Sequence, residues 1–332
     1  MSRSTRTTFH SSRRRGHSAL GYFLRLGVIC CFVLLMIRPL AGQAAQAAPA
    51  LQPAIVTILQ GKATVIRGVS EYDVLEGMRF LADDIVKTED DTFLRVEYAD
   101  QSWLELGPQT ELQLRPLTSR RAKRPGLYLL HGWLKLEGKP GVDTGQGIAV
   151  PGADLADISG VLVVHLETQS LVVFAEKGAA RWVDRAPHSA NAIPLRNGDF
   201  LQTDPNSPPK VQSRPTAQFV AALPRSYRDT LPARYSIYAN KLVTAKEERS
   251  FSYSEVEPWV NGEPTIRRQF VATWRRRIRE VDFRDSLDRQ MQLHPEWDPV
   301  LHPEKYEPPA QVEATHPKPL IQSSAGSVSD PR

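Results

Sequence analysis

Arginine is the residue type whose number and spacing in this chain most suggest chemistry. Arg275, Arg276 and Arg277 stand together, with Arg267, Arg268 and Arg279 close by. A guanidinium is permanently charged and carries five donors in a fixed fork, which suits it to carboxylates and phosphates. A second basic cluster at 118–125 (TSRRAKRP) contains Arg120, Arg121, Lys123 and Arg124. Both clusters are candidate contacts for an anionic partner. The second also reads as a solvated hairpin loop, and the first as a helix packed on the β unit with its guanidiniums solvated or paired with Asp282, Asp285 and Asp288.

No other pattern forms a reactive set. The chain has no Gly-rich phosphate loop, no G-x-S-x-G and no H-E-x-x-H. His294 and His302 are eight apart among Pro295, Pro299 and Pro303, which matches no helix-presented metal site. That segment predicts an extended strap laying Trp297 and Tyr306 against the body. The pairs Asp83/Asp84 and Asp90/Asp91 fall in predicted turns, where acids bond to nearby backbone. The expectation is a non-enzymatic protein without metal or cofactor.

Two kinds of element must position these residues. Between 54 and 115, apolar and polar residues alternate in short runs closed by Gly- or Asp-containing turns. This predicts strands at 54–59, 63–67, 85–87, 93–98, 103–106 and 111–115. In the run 93–98, Phe93, Arg95 and Glu97 face one way and Leu94, Val96 and Tyr98 the other. After Pro208 and Pro209 the period changes. Pro224 and Pro232 restrict 216–242 to short helical pieces. Pro264 opens a helix with the stripe Ile266, Phe270, Trp274 and Ile278. Asp282 is placed to cap a second helix, with the stripe Phe283, Leu287 and Met291.

The N-terminus reads as an export signal. Residues 1–25 hold six arginines and no acid; the apolar run 26–37 (LGVICCFVLLMI) and the small residues 41–50 follow. A dozen or so apolar residues fall short of the ~20 that span a bilayer, although an uncleaved anchor is the alternative. Cys30 and Cys31, the two cysteines of the chain, lie inside that run. A mature chain would then carry neither a disulfide nor a Cys metal site. Of 42 Lys+Arg against 37 Asp+Glu, seven basic residues precede residue 48. The net charge of +5 therefore belongs to the leader and gives no argument for nucleic acid. Residues 214–290 alone keep a local excess, with 15 basic against 10 acidic residues.

The order of motifs in the β region resembles the FecR domain of bacterial envelope proteins. Residues 61–65 (GKATV), Leu75-Glu76-Gly77 and 82–88 (ADDIVKT) carry the resemblance, followed by 98–102 (YADQS) and 104–110 (LELGPQT). It continues through 129–134, 148–153, 159–166 and 172–178. Gln101 stands where the family usually has Gly, an expected change to one turn, and Val150 replaces a threonine. Residues 193–203 (IPLRNGDFLQT) echo LEGMRFLADDIVKT, with Leu195 to Gly198 matching Leu75-Glu76-Gly77, as in a weak internal repeat.

The expected fold is mainly β, a FecR-like solenoid or two-sheet sandwich-like unit followed by a smaller α-helical C-terminal region. The expected organisation is a signal peptide at 1–47, a β domain at 54–206, a helical region at 214–307 and a disordered tail at 308–332. The resemblance implies an exported periplasmic binding or scaffold protein. Its partner would be an envelope protein, peptidoglycan or another anionic envelope component, with membrane contact through the arginine helix or an uncleaved leader. The alternative is a membrane-anchored signal-transduction regulator of the FecR type, which requires a cytoplasmic helical arm; residues 1–25 show no helical period. N-terminal sequencing of the protein from its native envelope separates these readings. A start at Gln46 or Ala48 is expected, and an intact Met1 in the membrane fraction would revive the regulator.

Overall fold

A computed structural model describes residues 54–115, 126–138, 147–168, 170–186, 192–204, 207–245 and 248–306. Seventeen strands run in chain order: β1 Ala54–Gln60, β2 Ala63–Arg67, β3 Ser70–Asp73, β4 Arg79–Phe80, β5 Ile85–Thr88 and β6 Phe93–Glu97. β7 Trp103–Leu106, β8 Glu111–Leu114, β9 Leu127–Gly138, β10 Ile148–Val150, β11 Ala153–Glu167 and β12 Ser170–Ala175 follow. The last are β13 Ala179–Asp184, β14 Ala192–Leu195, β15 Phe200–Asp204, β16 Ser207–Gln212 and β17 Glu248–Arg249. Each of the six strands expected before residue 116 is present, with ends shifted by at most one residue.

The strands form two sheets that share two bent members. The first sheet runs β4–β1–β6–β7–β9–β11–β12–β15–β16. The second runs β17–β3–β2–β5–β8–β9–β10–β11–β13–β14. Every pairing between named strands is antiparallel except β9–β10. The N-terminal halves of β9 and β11 belong to the second sheet and their C-terminal halves to the first, which makes the corners of a sandwich. Of the two β arrangements left open by the sequence, the two-sheet one is present. At the β9 corner Gly132 has φ 98°, and a Cβ there would lie 2.4 Å from the Thr110 Cα. No side chain fits that crossing.

Packing follows the pleat. Val56, Val65, Val86, Leu94, Val96, Leu112, Leu134, Ile148, Leu162 and Val173 meet between the sheets in the central core. The opposite faces are covered by the C-terminal region. Helices α1 Ala217–Ala222 and α2 Tyr235–Tyr238 lie in the segment that crosses the first sheet. Phe219 and Tyr227 pack there on Phe93, Trp133 and Phe200. Helices α3 Tyr253–Val260, α4 Pro264–Trp274, α5 Val281–Arg289 and α6 Asp298–Leu301 cover the second sheet. There Val256, Trp259, Phe270 and Leu287 join Ile66, Ile85, Tyr128 and Ala149 in a second core. Among the described residues no helix is long and apolar enough to cross a membrane.

The internal echo is real in geometry. Gly77 and Gly198 have φ of 87° and 88°. Gly77 N donates to Val56 O, and Gly198 N to Ala175 O, both at 2.7 Å. The return bonds match as well: Val56 N to Met78 O and Ala175 N to Asp199 O, both at 2.9 Å. The turn carrying Gln101 keeps its left-handed form despite the missing glycine, with φ 69° at Gln101. Its N–H donates to Tyr98 O at 2.9 Å, and the Asp100 carboxylate accepts from Ser102 N at 2.9 Å. A side chain in that region costs roughly 1–2 kcal/mol, partly offset by the extra unfolded-state freedom of glycine. Gln101→Gly should therefore stabilise the protein by about 1 kcal/mol in denaturant unfolding. A lower midpoint would show that the Gln side chain holds the turn.

Candidate functional site

The expected arginine helix divides into two parts. Helix α4 starts at Pro264 and ends at Trp274, and the chain then tightens into a 3-10 turn, Arg275–Arg279. Ile266, Phe270 and Trp274 are buried as the stripe requires, and Ile278 is half-buried. Trp274 fixes the end of the helix: its Nε1 donates to Gly68 O at 2.9 Å, and its ring stacks on Phe270 with centroids 4.2 Å apart. The next helix, α5, is preceded by Glu280 rather than capped by Asp282.

Arg277 corrects the expectation that all three adjacent arginines face a partner. It is 6% exposed. Its guanidinium donates to Ser250 Oγ and Phe251 O, pairs with Glu280 at 2.9 Å and lies 4.5 Å from the Phe251 ring centroid. The reason is the tight turn itself. Three residues per turn put Arg277 directly above Trp274, on the face that packs inward. Arg267 is likewise consumed, held bidentate on Glu296 at 2.9 and 3.1 Å. Arg268 reaches the same carboxylate at 3.5 Å from a mostly exposed position.

Arg275, Arg276 and Arg279 remain. All three are exposed and make no hydrogen bond or ion pair among the described residues. Of the two non-binding states expected for these guanidiniums, they are solvated rather than paired with Asp282, Asp285 and Asp288; Asp288 accepts from His302 Nε2 at 2.8 Å. The turn thus presents three solvated guanidiniums from a base pinned by Trp274 and Arg277. Arg120, Arg121, Lys123 and Arg124 lie outside the described residues.

The histidine segment is a folded clasp rather than an extended strap. Short 3-10 turns and α6 run through it, with Trp297 buried and Tyr306 57% exposed. Tyr306 is tethered through its hydroxyl to Asp298 at 2.6 Å. His294 is fully buried, with Nδ1 2.8 Å from Asn261 Oδ1 and Nε2 2.9 Å from Leu287 O. Burial lowers its pKa, against the hydrogen bond with Leu287. Among the described residues no group of His, Cys, Asp and Glu is arranged to hold a metal.

One cluster escaped the sequence reading. Lys87, Glu111 and His131 are cross-strand neighbours on β5, β8 and β9. With Thr88, Glu89, Asp90 and Gln109 they line an open cleft of about 530 Å³. Glu111 Oε1 sits 3.3 Å from Lys87 Nζ and 3.6 Å from His131 Nε2. Its Oε2 accepts from Trp259 Nε1 at 2.5 Å. Burial works to raise this carboxyl, but His131, Lys87 and Trp259 outweigh it and hold it below 4.5. Both carboxylate oxygens are therefore engaged, and the arrangement ties α3 to the second sheet. A charged or titratable residue on each of three strands was the available signal, but only the register joins them.

No family model matches this chain, and no curated protein does. Among solved structures, two crystal structures of a candidate anti-sigma factor from Parabacteroides distasonis ATCC 8503 resemble it. They are 15% and 14% identical, each with a TM-score of 0.34 over 42% of this chain. The likeness spans 62% and 63% of those chains, less than two thirds of their length. Nothing about function is drawn from it.

The Glu111 cluster predicts a pH effect. A folded-state carboxyl held below 4.5 contributes stability that is present above 4.5 and lost as pH falls through the folded value. Glu111→Gln should be less stable than the parent at neutral pH, and the gap should close in urea melts below pH 4.5. A constant gap across pH 3–7 would remove this role.

Proposed function

We propose that this protein is an exported binding or scaffold protein of the bacterial cell envelope that holds an anionic partner on its arginine turn. The observation that carries this reading is the contrast within one short segment. Arg267 and Arg277 are consumed by internal partners, whereas Arg275, Arg276 and Arg279 stand in solvent without any. Exposed unpaired guanidiniums on a rigid base retain their full capacity for carboxylate or phosphate oxygens. The FecR-like order of motifs over residues 55–203 and the export-type N-terminus support an envelope setting. A protein carboxylate patch, peptidoglycan and an anionic headgroup share the chemistry that the turn requires.

Replacing Arg275, Arg276 and Arg279 together with Gln tests the proposal. Cosedimentation with isolated peptidoglycan or anionic vesicles should weaken by about 10-fold or more, with the melting temperature nearly unchanged. The parent's binding should also fall as salt rises, since exposed charges are screened. Arg277→Gln should behave differently, losing about 2–4 kcal/mol of stability by breaking a buried ionic contact. Undiminished binding by the triple variant would overturn the proposal.

A further inference from the structure

The two outer faces of the sandwich are covered by the same C-terminal region with different balances of apolar and charged contact. Over the second sheet the cover is apolar: Trp259, Val260, Ile266, Phe270, Trp274 and Leu287 are each at most 2% exposed. Over the first sheet, residues 214–240 bury only Phe219, Tyr227 and Tyr238. The rest of that segment is exposed or half-buried and is interrupted by Pro215, Pro224 and Pro232. Beneath it lie charged side chains: Arg95, Glu97, Glu105 and Lys135, each at most 6% exposed. Arg95 bridges Glu97 at 2.9 Å and Glu105 at 2.5 Å.

These charges read the main chain of the cover rather than its side chains. Lys135 Nζ donates to Tyr227 O at 2.6 Å. Glu97 Oε2 accepts the N–H groups of Arg234 and Tyr235 at 2.8 and 2.7 Å. At the sheet edge Arg79 Nη2 donates to Ala239 O at 2.7 Å. Side-chain identity enters at the aromatic anchors. Phe219 sits 5.1 Å from Phe200 and 5.7 Å from Trp133, centroid to centroid. The Tyr227 hydroxyl lies 2.9 Å from both the Glu105 and the Trp133 carbonyl oxygens, which share its one proton. Gly107 leaves room for that anchor, because a Cβ there would meet the Tyr227 hydroxyl at 3.3 Å and the Trp133 Cβ at 2.8 Å.

We propose that the outer face of the first sheet is a peptide-docking face, filled in cis by residues 214–240 and able to take a partner peptide that folds onto it in the same short helical turns and with the same chemistry. That partner carries two aromatic anchors spaced like Phe219 and Tyr227, followed by free backbone N–H groups for Glu97. Buried charges cost several kcal/mol of desolvation each, so this face closes less firmly than an apolar one of equal area. Burial raises the Glu105 carboxyl above 4.5 despite Arg95 and Lys135, so its ionisation also opposes closure. A cover with three buried anchors opens locally at a lower free energy than the sheet beneath it. The proposal is independent of the arginine turn, which belongs to the other cover.

Two measurements on the full chain decide it. In native-state hydrogen exchange, the Arg234 and Tyr235 amides should exchange about 100-fold faster than Leu134 and Val164 in the sheet. A labelled synthetic peptide of residues 214–241 should bind the Tyr227→Ala chain about 10-fold more tightly than the parent, whose own segment competes. The same peptide with Ala at position 227 should not bind either chain. Exchange of the cover amides at the rate of the sheet would overturn the proposal, even if Tyr227→Ala fails to fold. A folded Tyr227→Ala chain that ignores the peptide would overturn it as well.

Discussion

A β-sheet has two faces, and in this protein the C-terminal region covers much of the outer face of both sheets along their central strands. All five residues of β6, Phe93 to Glu97, are buried. Leu94 and Val96 point into the core between the sheets, as does Leu104 from the paired strand. Phe93, Arg95 and Glu97 point outward and are buried all the same, because the C-terminal segment lies over them. That double burial explains why the charges on the outer face must find one another. Arg95 is satisfied by two carboxylates at once, and the remaining oxygen of Glu97 is left for the covering backbone. The first sheet, its charge network and its cover form a single constraint.

The same constraint accounts for the course of the chain after β16. A segment that must cover both outer faces has to pass around a sheet edge. Residues 241–245 and 248–249 lie along one edge, where Met78 bridges Val243 and β17 pairs with β3. Beyond that edge the cover becomes helical. The outer face of the second sheet offers Ile66, Ile85, Tyr128 and Ala149, and amphipathic helices are the economical way to meet an apolar plane. Backbone amides and carbonyls meet the charges of the first sheet, and apolar stripes meet the apolar residues of the second.

Local patterns were therefore legible where they depend on nearest neighbours in sequence. Alternation located the early strands, proline fixed the broken pieces after 216, and the stripe Ile266–Phe270–Trp274 set the inner face of α4. Leu195 to Gly198 identified a turn whose hydrogen bonds do repeat those of the earlier one. Burial of both sides of β6 was not legible, because alternation of polar and apolar residues normally means one wet face. Arg95 and Glu97 look like surface residues until the cover is in place. The Lys87–Glu111–His131 cluster was hidden for a related reason, since its members are joined by register and not by spacing.

The arginines show where reading types and spacing reaches its limit. Arg275, Arg276 and Arg277 are chemically identical and adjacent, yet one is a buried brace and two are solvated. What separates them is the period of the backbone at that point. A continued α-helix would place residue 278 closest to the position of Trp274, whereas a 3-10 turn places residue 277 there. The change of period turns Arg277 inward, where the Phe251 carbonyl and the Glu280 carboxylate receive it, and leaves Ile278 half-buried. It also stops Arg276 and Arg279 from spiralling around the axis, because residues three apart eclipse in a 3-10 turn. The tightening that removes one arginine from the surface aligns two others on it.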